Sequence, residues 1–226
     1  WGAAVAVLPH PPTVVIQGGK TDASGEHSYS SAPNSGDTII LPLSKTFPAS
    51  SPPYQLLTPG PTYAWHCLAP LFSKDGAWTL LSFGGHGGWS SPANDARSAW
   101  LLTPNPSTGT ANYTQPEEGW GGQPTRRVRH ACAAPVTGGK VFITGGQEPD
   151  FRETFAHTFV FDPASMRFTG LAPLPVAMYG HSSVLLANGT LLVIGGMTSR
   201  AGATALQPLD IVYALDTTTR APAWTS

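Results

Sequence analysis

Trp89 stands three places after His86, across the flexible pair Gly87-Gly88. An aromatic ring flanked by polar groups suits a sugar ring or a peptide. The alternative role for Trp89 is to cap the structural unit that carries it. His66, His130 and His181 could together hold a metal, because imidazole is a ligand for zinc, copper and iron alike. Cys67 follows His66 directly, and Cys132 lies two places after His130. Two such cysteines can form a disulfide in an oxidising compartment, or sit as two small buried apolar side chains. Carboxylates offer less chemistry. Glu117-Glu118 is an isolated pair that reads as solvated, and no G-x-S-x-G nucleophile elbow occurs.

Strands must position these groups. Residues 181–196, HSSVLLANGTLLVIGG, read as one β-hairpin with Asn188-Gly189 as a two-residue turn. The hairpin ends in Gly195-Gly196, where the backbone needs close approach or unusual dihedrals. The same unit recurs at VVIQGG, LLSFGG and VFITGG. Its first glycines, Gly18, Gly84, Gly145 and Gly195, lie 66, 61 and 50 residues apart. Such spacing marks a repeat architecture. Each repeat reads as four strands. They fall at 2–8, 13–17, 38–43 and 54–57; at 65–70, 78–83, 98–102 and 112–115; at 130–136, 140–144, 158–161 and 166–171; and at 181–186, 190–194, 210–215 and 223–225. The three histidines take equivalent positions at the first strand of repeats two to four. An aromatic lies near the fourth strand of each repeat: Tyr54, Tyr113, Phe168 and Trp224. Helix periodicity is weak throughout. In the loop 201–209, Gly202 and Pro208 argue against more than a turn of helix.

Composition narrows the class. Net charge is −1 and charged residues are 11%, which excludes a basic nucleic-acid footprint and gives no reason to bind anionic membranes. Hydrophobic residues are 41%, enough to bury a core despite 25 glycines and 23 prolines. No run of 18 apolar residues is present to span a membrane. Low charge and frequent Ser and Thr point to a secreted or cell-surface protein. So do the sequons at Asn112 and Asn188, both expected glycosylation sites; Asn105-Pro106-Ser107 is excluded by its proline.

An apolar strand ending in Gly-Gly, a later strand with an aromatic and Asp (Phe161-Asp162; Tyr213 and Asp216), and then a further aromatic resemble the kelch motif. Arg127-x-x-His130 and Tyr179-x-His181 before the first strand fit as well. The resemblance covers the whole chain in four units, closest in the third and fourth. The first unit departs from it, with a long loop and no histidine. Kelch units are similar to blades of β-propellers, galactose oxidase included, and this set resembles secreted fungal kelch-repeat proteins. The implied fold is all-β, a kelch-type β-propeller in one domain, with four four-stranded blades at about 1–60, 61–125, 126–176 and 177–226. In such repeats the histidines hold blade to blade, which favours an architectural role over a metal ring.

Copper radical oxidases of the galactose oxidase type need a Tyr-His pair, a second Tyr, a second His and a Cys cross-linked to Tyr. Tyr179-Gly180-His181 inserts a glycine into that pair. Residues two apart on a strand share a face and adjacent ones do not, so the copper set is not reproduced. No catalytic residue, metal or cofactor is therefore expected. Propellers place ligands at the mouth of the axis. The loops after Gly-Gly would bring Lys20, Asp22, His86, Trp89, Asp150, Arg152 and Arg200 there. The connections between repeats would add Trp65, Arg127, Arg129 and Tyr179. The expected function is a non-enzymatic extracellular scaffold for a glycan or an extracellular protein. The alternatives are a copper-oxidase relative with an incomplete site and a structural cell-wall or assembly component. Four blades with no spare closing strand are expected to be part of a larger propeller. Further blades or a second chain would then cover apolar faces too large to stay bare.

Overall fold

Apolar runs bounded by Gly, Pro and Asp-Gly become strands, and no helix forms among the described residues. The computed structural model describes residues 1–22, 32–87, 98–199 and 206–226. Four four-stranded antiparallel sheets are arranged as a four-blade β-propeller, as expected. Blade 1 holds β1 (Ala4–Pro9), β2 (Pro12–Gln17), β3 (Thr38–Pro42) and β4 (Gln55–Leu57). Blade 2 holds β5 (Ala64–Lys74), β6 (Ala77–His86), β7 (Ala99–Asn105) and β8 (Thr110–Thr114). Blade 3 holds β9 (Ala131–Ala133), β10 (Val141–Thr144), β11 (Thr158–Asp162) and β12 (Arg167–Leu171). In blade 4, β13 (Ser182–Leu185), β14 (Thr190–Ile194), β17 (Val212–Asp216) and β18 (Trp224–Thr225) pair in that order. No helix is long and apolar enough to cross a membrane.

Two local expectations are corrected. The Asn188-Gly189 turn is not a two-residue turn. Leu186 and Thr190 close the hairpin around three residues, and only Gly189 (φ +84°) is left-handed. The Asn188 side-chain carbonyl accepts from Thr190 N at 3.0 Å, so asparagine acts through its side chain while glycine takes the positive φ. By contrast Asp75 (φ +51°) and Gly76 (φ +80°) form a tight two-residue turn, which carries the β5–β6 ladder out to Lys74 and Ala77. In the loop of blade 4, β15 (Met197–Ser199) and β16 (Leu206–Pro208) pair as a two-stranded ribbon, with Pro208 at its end where a missing N–H is tolerated.

The core lies between blades. Blade 1 meets blade 2 through Ala6, Leu8, Val15 and Ile40 against Leu68, Trp78, Leu80 and Leu102. Blade 2 meets blade 3 through Leu81, Phe83 and Leu101 against Val141, Ile143, Phe161 and Phe168. Ala133 and Phe142 of blade 3 pack on Leu191 and Leu215 of blade 4. The fourth-strand aromatics reach back to the preceding blade. Tyr113 Oη lies 2.6 Å from Thr38 Oγ1. Phe168 sits 5.6 Å from Phe83, and Trp224 Nε1 donates to Ala172 O at 2.9 Å. Tyr54, on blade 1, is 63% exposed.

The glycine pairs and histidines form a repeating clasp. The second glycine of each pair donates its N–H to a carbonyl ahead of the next blade: Gly19 to Tyr63 (2.7 Å), Gly85 to Arg127 (2.8 Å) and Gly146 to Met178 (2.8 Å). A Cβ on the first glycine would lie within 3 Å of the next blade's imidazole, at Gly18 against His66, Gly84 against His130 and Gly145 against His181. Glycine is required there by both φ and close approach. All three histidines are buried. Burial lowers the pKa of His66 to about 3 and that of His181 to about 4, and drives His130 well below 6.5, with Arg127 adding repulsion.

Two apolar faces remain uncovered. On blade 1, Val5, Val7 and Leu56 are more than half exposed. On blade 4, Val184, Leu186, Ile194 and Val212 are between 40% and 51% exposed. No core cluster among the described residues joins blade 4 to blade 1.

Two outcomes follow. The imidazoles bind protons more weakly folded than unfolded, so their contribution is complete above pH 6.5 and is lost as pH falls toward about 4 and then about 3. Urea unfolding between pH 7.5 and pH 4 should therefore show stability falling by about 3 kcal/mol for each of His66 and His181, with His130 acting in the same direction; a flat profile contradicts it. Separately, Val5→Lys with Val212→Lys should lower ANS fluorescence and leave the melting temperature within a few degrees, because both side chains are solvent-facing.

Candidate functional site

Gly2, Trp65, Arg129 and Gly180 occupy one equivalent position, immediately before Ala3, His66, His130 and His181. All four have positive φ: +73°, +59°, +55° and +63°. They are linked around the axis by backbone hydrogen bonds, Trp65 N to Gly2 O (2.7 Å), Arg129 N to Trp65 O (3.1 Å) and Gly180 N to Arg129 O (2.8 Å). Glycine adopts this conformation freely, whereas Trp65 and Arg129 hold it at about 1–2 kcal/mol each. Phe151, in the loop after β10, is also left-handed at φ +63°.

These three strained residues converge. The Arg129 guanidinium lies 4.7 Å from the Phe151 ring, 5.4 Å from Trp65 and 5.9 Å from Tyr179. Trp65 and Phe151 meet edge to face at 6.2 Å. Lys20 Nζ stands 5.4 Å from the Trp65 ring and donates to Ala32 O at 2.7 Å. His86 lies 6.0 Å from Trp65. Burial, with Arg126 and Lys20 nearby, lowers the His86 pKa, and burial lowers that of Lys20. Arg129 is half-buried and oriented by three aromatic rings. Its N–H fork meets no hydrogen-bond acceptor or carboxylate among the described residues. A guanidinium so held presents a planar array of donors suited to a carboxylate, sulfate or phosphate. Phe151, 38% exposed, offers an aromatic surface beside it.

The structure brings Trp65, His86, Arg129 and Tyr179 together, with Lys20. Arg127 is corrected. It is wholly buried, donates to Gly145 O (3.1 Å) and Thr125 O (3.2 Å), and lies between Phe155 and Phe159. Its pKa is pushed down to about 10 by burial, and it holds blade 3 together out of reach of any ligand. Asp150 and Arg152 pair with each other at 2.8 Å on the exposed rim of the Phe151 loop. Trp89 and Arg200 lie outside the described residues. Phe151 escaped the sequence reading; its signal was an aromatic inside a polar loop, the same feature that singled out Trp89.

Tyr179 and His181 do not share a site. Tyr179 is buried beside Arg129 and its backbone bridges Met197, whereas His181 Nε2 lies 2.8 Å from Thr144 Oγ1 in the blade 3 interface. Cys67 and Cys132 are joined in a disulfide between blades 2 and 3, with His130 beside them. A cleft of about 380 Å³ at the opposite end, between blades 1 and 2, is lined by turn residues around Trp78. The Trp78 indole N–H is already bonded to His10 O, and no strained residue except Asp75 approaches it. The axis mouth is the better candidate. No family model and no curated protein matches this chain.

Trp65→Gly tests the strain argument. Relief of the left-handed backbone, about 1–2 kcal/mol, should offset about half of the four lost ring contacts at about 0.5–1 kcal/mol each, leaving urea stability within about 2 kcal/mol of wild type. A loss above about 3 kcal/mol would mark Trp65 as an ordinary core residue.

Proposed function

We propose that this chain is an extracellular, non-enzymatic kelch-type propeller that binds an acidic glycan at its axis mouth. The observation that carries the reading is the Arg129 guanidinium, set by strained backbone onto Trp65, Phe151 and Tyr179, with no acceptor for its donors among the described residues. Strain of this kind persists where the surroundings enforce it, and it gathers at sites of function. Arg129 would take a carboxylate or sulfate on the sugar, and Phe151 would lie against its ring. Lys20 adds positive field at the same place. The exposed sequon asparagines Asn112 and Asn188 and the Cys67–Cys132 disulfide support a secreted or cell-surface setting. The kelch resemblance supports a scaffold role, and a protein carrying the same anionic groups is the other ligand of this class. The open faces of blades 1 and 4 are where further blades or a second chain would add.

The test is a glycan array followed by titration with oligogalacturonate and with a neutral oligogalactose of equal length. The acidic sugar should bind at least tenfold more tightly. Arg129→Gln should remove that preference and Phe151→Ala should weaken both sugars. Equal binding of the two sugars, or binding that Arg129→Gln leaves unchanged, contradicts the proposal.

A further inference from the structure

We propose that the open face of blade 4 is a docking face for a further four-stranded blade of the same repeat, one whose inner strand carries a histidine. Three interfaces in the chain follow one rule. The first glycine of a pair accepts the next blade's imidazole, and the second glycine donates its N–H to a carbonyl three residues before that histidine. Blade 4 carries the receiving half of this clasp unfilled. Gly195 has φ +65°, like Gly18, Gly84 and Gly145. Among the described residues, a Cβ placed on Gly195 would meet only Leu209 O, at 3.7 Å. The Gly196 N–H and the Gly180 carbonyl likewise meet no bonding partner from another blade there, although the corresponding groups of blades 2 and 3 do. Around this socket the face is apolar, with Val184, Ile194 and Val212 each more than 40% exposed.

Blade 1 cannot complete the clasp. At the histidine position it has Ala3, whose methyl group packs on Gly19 as the histidine Cβ atoms pack on Gly85, Gly146 and Gly196 but offers no imidazole to the socket. Ring closure onto blade 1, or docking of the blade 1 face of a second copy, would leave the Gly195 socket empty. Every filled interface is made by a blade whose inner strand carries a histidine, so the occupant is assigned as a further blade of that kind. The contact is heterologous, one kind of face against its complement, as in the three interfaces already filled.

The test supplies the missing imidazole. Ala3→His, made in the 226-residue chain, gives blade 1 the group that Gly195 is shaped to receive. In sedimentation velocity the wild-type chain should show no dimer that buries the blade 4 face. Ala3→His should associate head to tail at least tenfold more tightly than wild type. Gly195→Ala added to that variant should abolish the gain. Val212→Lys should do the same through an exposed side chain, which keeps the test valid if Gly195→Ala perturbs the turn. A wild-type dimer that Val212→Lys dissociates would make a second copy the occupant and overturn the assignment. So would an Ala3→His chain that associates no better than wild type.

Discussion

The structure depends on close approach between one blade's Gly-Gly pair and the next blade's inner strand. Each clasp combines a backbone hydrogen bond, a buried neutral imidazole and an interlocking apolar face. The polar part sets register and spacing, while the apolar part supplies most of the free energy, at roughly 25 cal/mol per Å² of surface removed from water. A side chain at the first glycine would push the blades apart, so the glycines define the fold more strictly than the strands they terminate. The histidines serve this clasp. Their depressed basicity follows from burial among apolar groups, and the same burial keeps them neutral at physiological pH.

The candidate site grows out of the same construction. The residue ahead of each inner strand must be left-handed for the bonds between Gly2, Trp65, Arg129 and Gly180 to run around the axis. Two blades fill that position with glycine and two with large side chains. Trp65 and Arg129 are thereby aimed at one another and at Phe151. Strain at two positions is the cost of placing an aromatic and a cation side by side at the mouth.

Much of this was legible in the chain, for identifiable reasons. Four Gly-Gly endings on apolar strands gave the blade count, and short apolar runs bounded by turn residues placed all sixteen blade strands within a few residues. The histidine positions were legible as a repeat, and their architectural role followed from that repetition. What the sequence hid was three-dimensional. Arg127 and Arg129 sit two apart and look alike, yet one is wholly buried and the other opens to the mouth. The left-handed backbone of Trp65, Arg129 and Phe151 has no local signal, because none is glycine or asparagine. The β15–β16 ribbon was hidden by Pro208, which reads as a breaker yet is tolerated at a strand end.

Amide hydrogen exchange at the second glycines tests the clasp most directly. The account predicts slow exchange at Gly19, Gly85 and Gly146, whose N–H groups are bonded to the following blade, and fast exchange at Gly196, which has no such bond among the described residues. If all four glycines exchange alike, the Gly-Gly clasp is not what holds neighbouring blades together.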